Sequence, residues 1–310
     1  MIRCDGVTYV YGRGTPLEVQ ALADVSLTIG AGELVGIIGA TGSGKSTLVQ
    51  HFNGLLRPTR GRVALDGVDI HARAVDRRRV RQQIGLLFQY PEHQLFEETV
   101  LEDVAFGPRN LGLTEEEART RARLALEQMG LPPERFGPRS PFGLSGGEMR
   151  RAAIAGILAM EPRMLILDEP AAGLDPRGRH DLIELIRRLH ERRGLTVVLV
   201  THSMDAVAQL CRRLLVLRQG RLVADGPTRQ VFGDIARLDS DGLGLPQVTQ
   251  LAGRLRARGV PVRADVLTVE EARIAIRQAL GGGSARGPRE PGKGSGVQQG
   301  PLGQESHGDL

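Results

Sequence analysis

Short apolar runs alternate with amphipathic stretches along most of this 310-residue chain. Leu34–Ile38, Met164–Leu167 and Thr196–Val200 are almost continuously apolar and of strand length, as in strands buried on both faces. Thr114–Met129 and Asp181–Arg193 instead place apolar residues at helical spacing among charged ones. Buried strands interleaved with helices predict an α/β fold with a mostly parallel sheet covered on both faces.

Capping and turn chemistry adds shorter elements. Thr114, followed three residues later by Glu117, predicts a capping box at the start of a helix. Further predicted strands are Arg62–Leu65, Ile84–Phe88, Leu214–Leu217 and Arg221–Ala224, the last two joined as a hairpin through Arg218–Gly220, and further predicted helices are Ser46–Leu55 and Met149–Met160.

Composition narrows the class of protein and sets its boundaries. No apolar run approaches the roughly 18 residues that a membrane-spanning helix needs. Cys4 and Cys211 are the only cysteines, which excludes a disulfide scaffold and a thiolate metal cage and predicts a reducing cytosol. Residues 281–310 are rich in Gly, Pro, Ser and Gln and bury too little apolar surface to order, so a disordered tail is predicted. A main domain over 1–235 and a small segment over 236–280 precede it.

A glycine-rich segment, here called the phosphate loop, follows the first buried strand. It fits the pattern G-x-x-x-x-G-K-[ST], with a predicted strand before it and a predicted helix after it. Its members are Gly39, Ala40, Thr41, Gly42, Ser43, Gly44, Lys45 and Ser46, and Thr47 follows. We expect its backbone N–H groups to hold a polyphosphate, Lys45 to contact the β- and γ-phosphates, and Ser46 to bind Mg²⁺.

Two adjacent carboxylates end a later buried strand. Asp168 and Glu169 follow the apolar run, and Pro170 indicates that the strand ends there. Asp168 is placed to hold Mg²⁺ through water, and Glu169 to polarise an attacking water.

Leu144–Glu148, here called the second nest, places small residues before the predicted helix Met149–Met160. Backbone N–H groups at such a helix start attract anions. Two phosphate-binding helix starts in one chain are economically explained by two nucleotides that lie between two subunits. Each nucleotide would then meet the phosphate loop of one subunit and the second nest of the other.

As a set, these segments resemble the ATP-binding cassette (ABC) ATPases over residues 1 to about 235. In the family's order, the matches are Gly39–Thr47 (Walker A), Gln89 (Q-loop), Leu144–Glu148 (signature), Met164–Glu169 (Walker B), Ala172–Asp175 (D-loop) and His202 (switch histidine). The resemblance implies an α/β P-loop NTPase fold, with a RecA-like mostly parallel sheet, an antiparallel β subdomain and an α-helical subdomain at about 92–160. The chain departs from the family at Glu148, where glutamine is commoner, and at Ala172, where serine is common.

The resemblance also implies roles for single residues. Glu169 would be the catalytic base, and Lys45 and His202 would contact the γ-phosphate of ATP. Gln89 would join Ser46 and Asp168 as an Mg²⁺ ligand. The residues implied to act on the ATP of the opposite subunit are Ser145, Gly146, Gly147, Glu148 and Asp175. The residues implied for the adenine are Tyr11, which would stack on it, and Tyr9 as the alternative. The remaining histidines considered, His51, His71, His180 and His190, are expected to be solvated or capping residues.

The stretch after Gln89 is more specific. Tyr90–Val100, Ala105–Pro108 and Ser145–Pro162 resemble the second ATPase type of energy-coupling factor (ECF) importers. That resemblance implies ATP hydrolysis coupled to uptake of a vitamin or a transition-metal ion, on the cytoplasmic side of the cell membrane. The implied partners are a second ABC ATPase subunit (identical or a paralogue), a membrane-embedded coupling subunit and a substrate-binding membrane subunit, with no nucleic acid. Residues 236–280 would help to hold the ATPase subunits together.

The same stretch is implied to dock the coupling subunit. Leu95, Phe96 and Phe106 would be apolar anchors, and the alternative is that the two phenylalanines are core residues. An acidic rim for a basic helix is expected from Glu97, Glu98, Glu102 and Asp103.

Three other functions stay open at the level of sequence. They are a soluble ABC ATPase that acts on ribosomes or DNA, the ATPase of another ABC importer type, and a P-loop metabolic kinase. The kinase would need no second nest.

Overall fold

A six-stranded sheet forms the centre of the computed structural model, which describes residues 1–90, 94–233 and 244–281. Its strands are β3 (Leu34–Ile38), β6 (Ile84–Leu87), β7 (Met164–Asp168), β8 (Thr196–Val200), β9 (Arg213–Arg218) and β10 (Arg221–Pro227). The order is β10-β9-β3-β8-β7-β6, and every pair is parallel except the hairpin of β9 and β10. The predicted, mostly parallel sheet is therefore confirmed.

A smaller antiparallel sheet covers one side of the molecule. It contains β1 (Ile2–Tyr11), β2 (Val19–Ile29), β4 (Arg60–Leu65) and β5 (Val68–Asp69), in the order β2-β1-β4-β5. Ile2 and Leu22 of this sheet share one fully buried apolar cluster with Ile37 and Ile166 of the central sheet. The two sheets are thus joined through a common core.

Helices cover the other surfaces. They are α1 (Lys45–Phe52), α2 (Arg77–Gln83), α3 (Val100–Asn110), α4 (Glu115–Gln128), α5 (Pro133–Phe136), α6 (Gly146–Leu158), α7 (Pro176–Arg193), α8 (Met204–Leu210), α9 (Thr228–Gly233), α10 (Gln247–Ala257) and α11 (Val269–Gly281), with a 3₁₀ turn at Pro141–Gly143. Helices α3 to α6 lie between β6 and β7 in the chain and pack on one another around Val104, Leu126 and Ile154. The capping box of Thr114 and Glu117 at α4 is confirmed.

Helices α10 and α11 surround a separate small core. Ala252, Val262, Val266, Ala272 and Ala275 are buried there. The predicted segment 236–280 falls in part, and the predicted tail 281–310 falls almost wholly, outside the described residues. Within the described ranges, no helix has both the length and the apolar character needed to cross a membrane.

Three helix boundaries differ from the sequence prediction. Helix α1 ends at Phe52 rather than at residue 55, because Asn53 caps it and Gly54 takes a left-handed φ of +73°. Helix α7 begins at Pro176 rather than at residue 181, since proline is well tolerated at the first helical position and Asp175 caps it. Helix α6 likewise begins three residues early, at Gly146.

Candidate functional site

The carboxyl ends of four parallel strands bring the predicted site residues to one edge of the central sheet. The phosphate loop follows β3, Asp168 ends β7, and Thr201 follows β8. Register pairs Ile37 with Val200, Leu199 with Leu167, and Leu167 with Leu87, so these strands end at the same level. Gln89, two residues beyond Leu87, is exposed at this edge. Such an edge is where α/β proteins bind their ligands.

The phosphate loop has the close backbone approaches that require glycine. A Cβ on Gly39 would lie 2.4 Å from the Leu217 carbonyl oxygen, and one on Gly44 would lie 2.6 Å from the Ala21 carbonyl oxygen. Gly44 also takes a φ of +100° and precedes α1 without a side-chain cap. The first N–H groups of α1 are therefore left for a ligand.

Lys45 bends back over this loop. Its Nζ donates to the carbonyl oxygens of Gly39 at 2.8 Å and Ala40 at 2.9 Å. Burial lowers the pKa of Lys45, while the charges of Glu169 and Asp168 act in the opposite direction. The ammonium group thus lies within the electrostatic reach of both carboxylates.

Asp168 and Ser46 supply hard oxygen donors side by side. Asp168 is buried, which raises its pKa, and a hydrogen bond from the Ser46 side chain partly offsets that rise. A hydroxyl and a carboxylate are the ligand types that Mg²⁺ takes when substrate phosphates and waters complete its octahedron. The described residues hold no cluster of three or more His, Cys, Asp or Glu suited to a metal ion.

Glu169 is held by two side chains that follow β8. Its Oε1 lies 2.8 Å from His202 Nδ1, and its Oε2 accepts a hydrogen bond from the Thr201 hydroxyl at 3.1 Å. The Glu169 backbone has a left-handed φ of +51°, an uncommon conformation for a residue with a side chain. Thr201 was missed by the sequence analysis, although it is the first polar residue after a buried strand. It is almost fully buried against the carboxylate.

The two candidate adenine-binding tyrosines occupy different environments. Tyr11 is 41% exposed, and its hydroxyl lies 3.2 Å from the Thr47 hydroxyl of α1. Tyr9 is half-buried and packs edge-on against both Tyr11 and His51, with ring centroids 4.7 and 4.8 Å apart. His51 was expected to be a solvated or capping residue, and solvation is wrong: this residue of α1 is fully buried, with Nδ1 2.7 Å from the Thr47 carbonyl oxygen.

The second nest is closed by its own side chains. Ser145 caps α6, and the Glu148 carboxylate accepts hydrogen bonds from both the backbone N–H and the hydroxyl of Ser145, each at 2.8 Å. These bonds lower the pKa of Glu148, so the carboxylate is ionised. A Cβ on Gly146 would meet no atom within 4 Å, which leaves an open surface there.

Asp175, like Ser145, caps the start of a helix. Asp175 is exposed and caps α7 by accepting a hydrogen bond from the Gly178 N–H at 2.6 Å. Among the described residues, no hydrogen bond or ion pair joins Ser145, Glu148 or Asp175 to the phosphate loop. The hydrogen bonds of these residues are local to the starts of α6 and α7.

A docking groove, defined by Leu95, Phe96, Phe106, Gly107 and Met160, forms a cavity of about 480 Å³ beside α3 and α6. Phe96 is 56% and Phe106 is 39% exposed, and the rings pack edge-on with centroids 4.8 Å apart. The alternative that these two are core residues is therefore wrong.

The predicted acidic rim is wrong at Asp103. Asp103 is buried and accepts hydrogen bonds from the N–H groups of Phe96 and Glu97, at 2.7 and 2.9 Å. Glu102 forms ion pairs with Arg109 and Arg119. Glu98 is exposed and Glu97 partly so.

Comparisons with known proteins agree with this geometry. The ABC transporter family model matches residues 22–172. The energy-coupling factor transporter ATP-binding protein EcfA2 of Symbiobacterium thermophilum is 56% identical over 278 residues, covering 90% of this chain and 96% of that protein. The EcfA2 of Clostridium tetani is 48% identical over 272 residues, covering 88% of this chain and 94% of that protein.

Solved structures show the same fold. CbiO1 of Clostridium perfringens, described as part of the ABC transporter complex cbiONQ, superposes with a TM-score of 0.68 at 37% identity, covering 81% of this chain and 97% of that chain. The ATP-binding cassette MJ0796, solved as a post-hydrolysis dimer bound to ADP and Pi, has a TM-score of 0.65 at 32% identity, covering 74% of this chain and 99% of that one. Together with the clustered phosphate loop, carboxylates and histidine, these matches establish that the chain is an ABC-type ATPase and belongs to the EcfA2 family of energy-coupling factor transporter ATP-binding proteins.

Proposed function

We propose that this ATPase powers an importer by closing as a dimer on two Mg-ATP molecules and transmitting the closure through the docking groove to a membrane-embedded coupling subunit. The observation that carries this proposal is the combination of a hydrolytic site at the sheet edge with an exposed aromatic groove on the adjoining helices. A soluble enzyme needs the first and gains nothing from the second.

Nucleotide binding starts from the phosphate loop. The free N–H groups of α1 take the phosphates, and Lys45 exchanges its two carbonyl partners for phosphate oxygens. The residues around the phosphates are Gly39, Ala40, Thr41, Gly42, Ser43, Gly44, Lys45, Ser46 and Thr47. Tyr11 offers its exposed ring to the adenine, because Tyr9 is held against His51.

Ser46, Asp168 and Gln89 would hold Mg²⁺ together with the phosphates. The ion supplies charge neutralisation between the β- and γ-phosphates. The oxygen donors of Ser46 and Asp168 are adjacent, and Gln89 reaches the same sheet edge from β6.

Hydrolysis uses Glu169 as the base. Its two carboxylate oxygens are engaged by Thr201 and His202. When ATP is bound, Glu169 orients and deprotonates the attacking water, while His202 turns its exposed ring toward the γ-phosphate.

The second nest completes the site of the other subunit. Ser145, Gly146, Gly147, Glu148 and Asp175 face the ATP held by the opposite phosphate loop. This arrangement is supported by MJ0796, a cassette of the same fold that was solved as a dimer. Residues 236–280 would add a contact between subunits.

The partners follow from the relatives. The curated relatives are named as energy-coupling factor transporter subunits, and CbiO1 is part of the cbiONQ complex. We therefore place this chain on the cytoplasmic face of the cell membrane, with a second ABC ATPase subunit, a coupling subunit and a substrate-binding subunit, and without nucleic acid. The cargo class is a vitamin or a transition-metal ion, chosen by the substrate-binding subunit.

Co-purification tests the coupling role. The F106S variant removes one aromatic anchor of the docking groove, and L124S changes an exposed apolar residue on α4 outside it. We expect the wild-type protein and L124S to co-purify with an integral membrane protein from detergent-solubilised membranes. F106S should lose that partner and keep its ATP hydrolysis.

Two outcomes would contradict the proposal. F106S that retains the membrane partner as well as L124S does removes the groove from its role. Wild-type protein that instead co-purifies with ribosomes or DNA replaces the importer with a soluble ABC ATPase.

A further inference from the structure

A buried arginine joins the helix of the second nest to the loop that follows the catalytic base. Arg150 lies on α6, little more than one turn beyond Ser145, and is only 7% exposed. Its Nη1 donates to the Ala172 carbonyl oxygen at 2.9 Å. Because burying a guanidinium is costly unless it is hydrogen-bonded, this contact is a built feature of the fold.

The loop after Glu169 is tight enough to transmit such a contact. The Ala172 N–H donates to the Glu169 carbonyl oxygen at 3.1 Å, and the Leu174 N–H donates to that of Ala171 at 3.3 Å. Gly173 turns the chain with a φ of +74°. A displacement of the Ala172 carbonyl is therefore passed to the backbone of Glu169 through a single hydrogen bond.

A second contact brings the same two segments together. A Cβ on Gly147 would lie 3.8 Å from Leu174 Cδ2, so the first turn of α6 lies against the loop. Leu174 is itself packed on the main hydrophobic core. The loop is thus held from the α6 side at both Ala172 and Leu174.

We propose that Arg150 is a positioning residue that couples the two ATP sites of the dimer. The inference rests on the proposed function, in which Glu169 acts on the ATP of its own subunit and Ser145 on the ATP of the partner subunit. Ser145 caps the helix that contains Arg150, so docking of Ser145 on one ATP sets the position of Arg150. Arg150 in turn positions Ala172 and, through it, Glu169 at the other ATP. Closure at one site then prepares the base at the second site.

Three variants separate this role from a merely structural one. R150M keeps the apolar stem and removes every donor, whereas R150K keeps one donor on a stem of similar length. R188M makes the same change at an exposed arginine of α7; Arg188 and Arg150 line one surface cavity, which is separate from the docking groove. The full-length proteins are compared by ATP affinity of the monomer, by kcat, and by the Hill coefficient of ATP hydrolysis.

We expect a wild-type Hill coefficient clearly above 1, as coupling between the two sites requires. In R150M, kcat should fall about tenfold and the Hill coefficient should approach about 1, while the ATP affinity of the monomer stays within about twofold, because Arg150 does not touch the phosphate loop. R150K should recover much of both losses, and R188M should match the wild type. If R150M does not fold, L174A removes the second contact and should lower the Hill coefficient in the same direction.

Each of the following results would contradict the role of Arg150, the coupling of the two sites or the dimer. R150M with wild-type kcat and Hill coefficient overturns the inference, as does a loss of ATP affinity and melting temperature that R150K fails to restore. A wild-type dimer with a Hill coefficient near 1 overturns the coupling alone. Wild-type protein that stays monomeric while hydrolysing ATP overturns the dimer of the proposed function itself.

Discussion

The two helix starts proposed to bind phosphate, those of α1 and α6, are built in opposite ways. The start of α1 has a glycine at its cap, no capping side chain, and a lysine folded over the loop. The start of α6 has a serine cap whose N–H and hydroxyl are both taken by the ionised Glu148. One is an open cationic site, and the other is occupied by its own carboxylate.

We expect this difference to keep one chain from binding ATP at both helix starts. No side chain caps the start of α1, and Lys45 adds positive charge there. The second nest presents an anion of its own, so free ATP gains little there. In the proposed dimer, the second nest meets a γ-phosphate that the other subunit already holds and partly neutralises.

Removing the base tests whether the second nest closes on a partner. In E169Q, kcat should fall by about 100-fold or more, because a general base contributes that order of rate. ATP should still bind, since the phosphate loop is unchanged. Gel filtration with ATP and Mg²⁺ should then show stable dimers.

A matched change controls this result. E191Q alters an exposed acid of α7 and should leave hydrolysis and the monomer unchanged. A kcat in E169Q equal to that of E191Q would show that Glu169 is not the base. An E169Q protein that remains monomeric with bound ATP would contradict closure of the second nest on a partner.

The hydroxyl of Thr201 tests how the carboxylate of Glu169 is oriented. T201V keeps the shape of the side chain and removes its hydrogen bond to Glu169. We expect kcat to fall about tenfold with little change in KM, because the base loses orientation while the phosphate contacts stay. T201S restores the hydroxyl and should restore most of the rate; equal losses in both variants would point to packing instead.

The smallest expected effect concerns the carboxylate of the second nest. E148Q removes a negative charge next to the incoming phosphate, so it should lower the ATP concentration for half-maximal dimer formation by about threefold. The measurement uses the E169Q background to prevent hydrolysis, with E127Q on α4 as the charge-matched control. If E148Q raises that concentration, the carboxylate assists closure rather than opposing it.

Local sequence patterns were enough to predict the fold class and the phosphate loop. Lys45 and Ser46 stand at fixed spacing after a buried strand, and Asp168 and Glu169 stand at the end of another. The capping box at Thr114 follows from residues only three apart. Each of these features depends on neighbours in the chain, which the sequence displays directly.

Contacts between distant segments were not predicted. Thr201 meets Glu169 across 32 positions, and Arg150 meets Ala172 across 22, so no local spacing reveals either pair. One local feature was also missed: Ser145 and Glu148 form a capping box at the same three-residue spacing as Thr114 and Glu117. The exposure of Phe106 was also undecidable, because an aromatic residue at helical spacing fits a core and a docking surface equally well.

The strand order has a consequence for folding during synthesis on the ribosome. Strand β8, which enters the chain only at Thr196, lies between β3 and β7 and supplies the hydrogen bonds to both. A nascent chain that stops before Thr196 already contains Lys45, Asp168 and Glu169. It lacks the strand whose hydrogen bonds join β3 to β7. The hydrolytic centre therefore assembles late in synthesis, when β8 is inserted between β3 and β7, which are synthesised earlier.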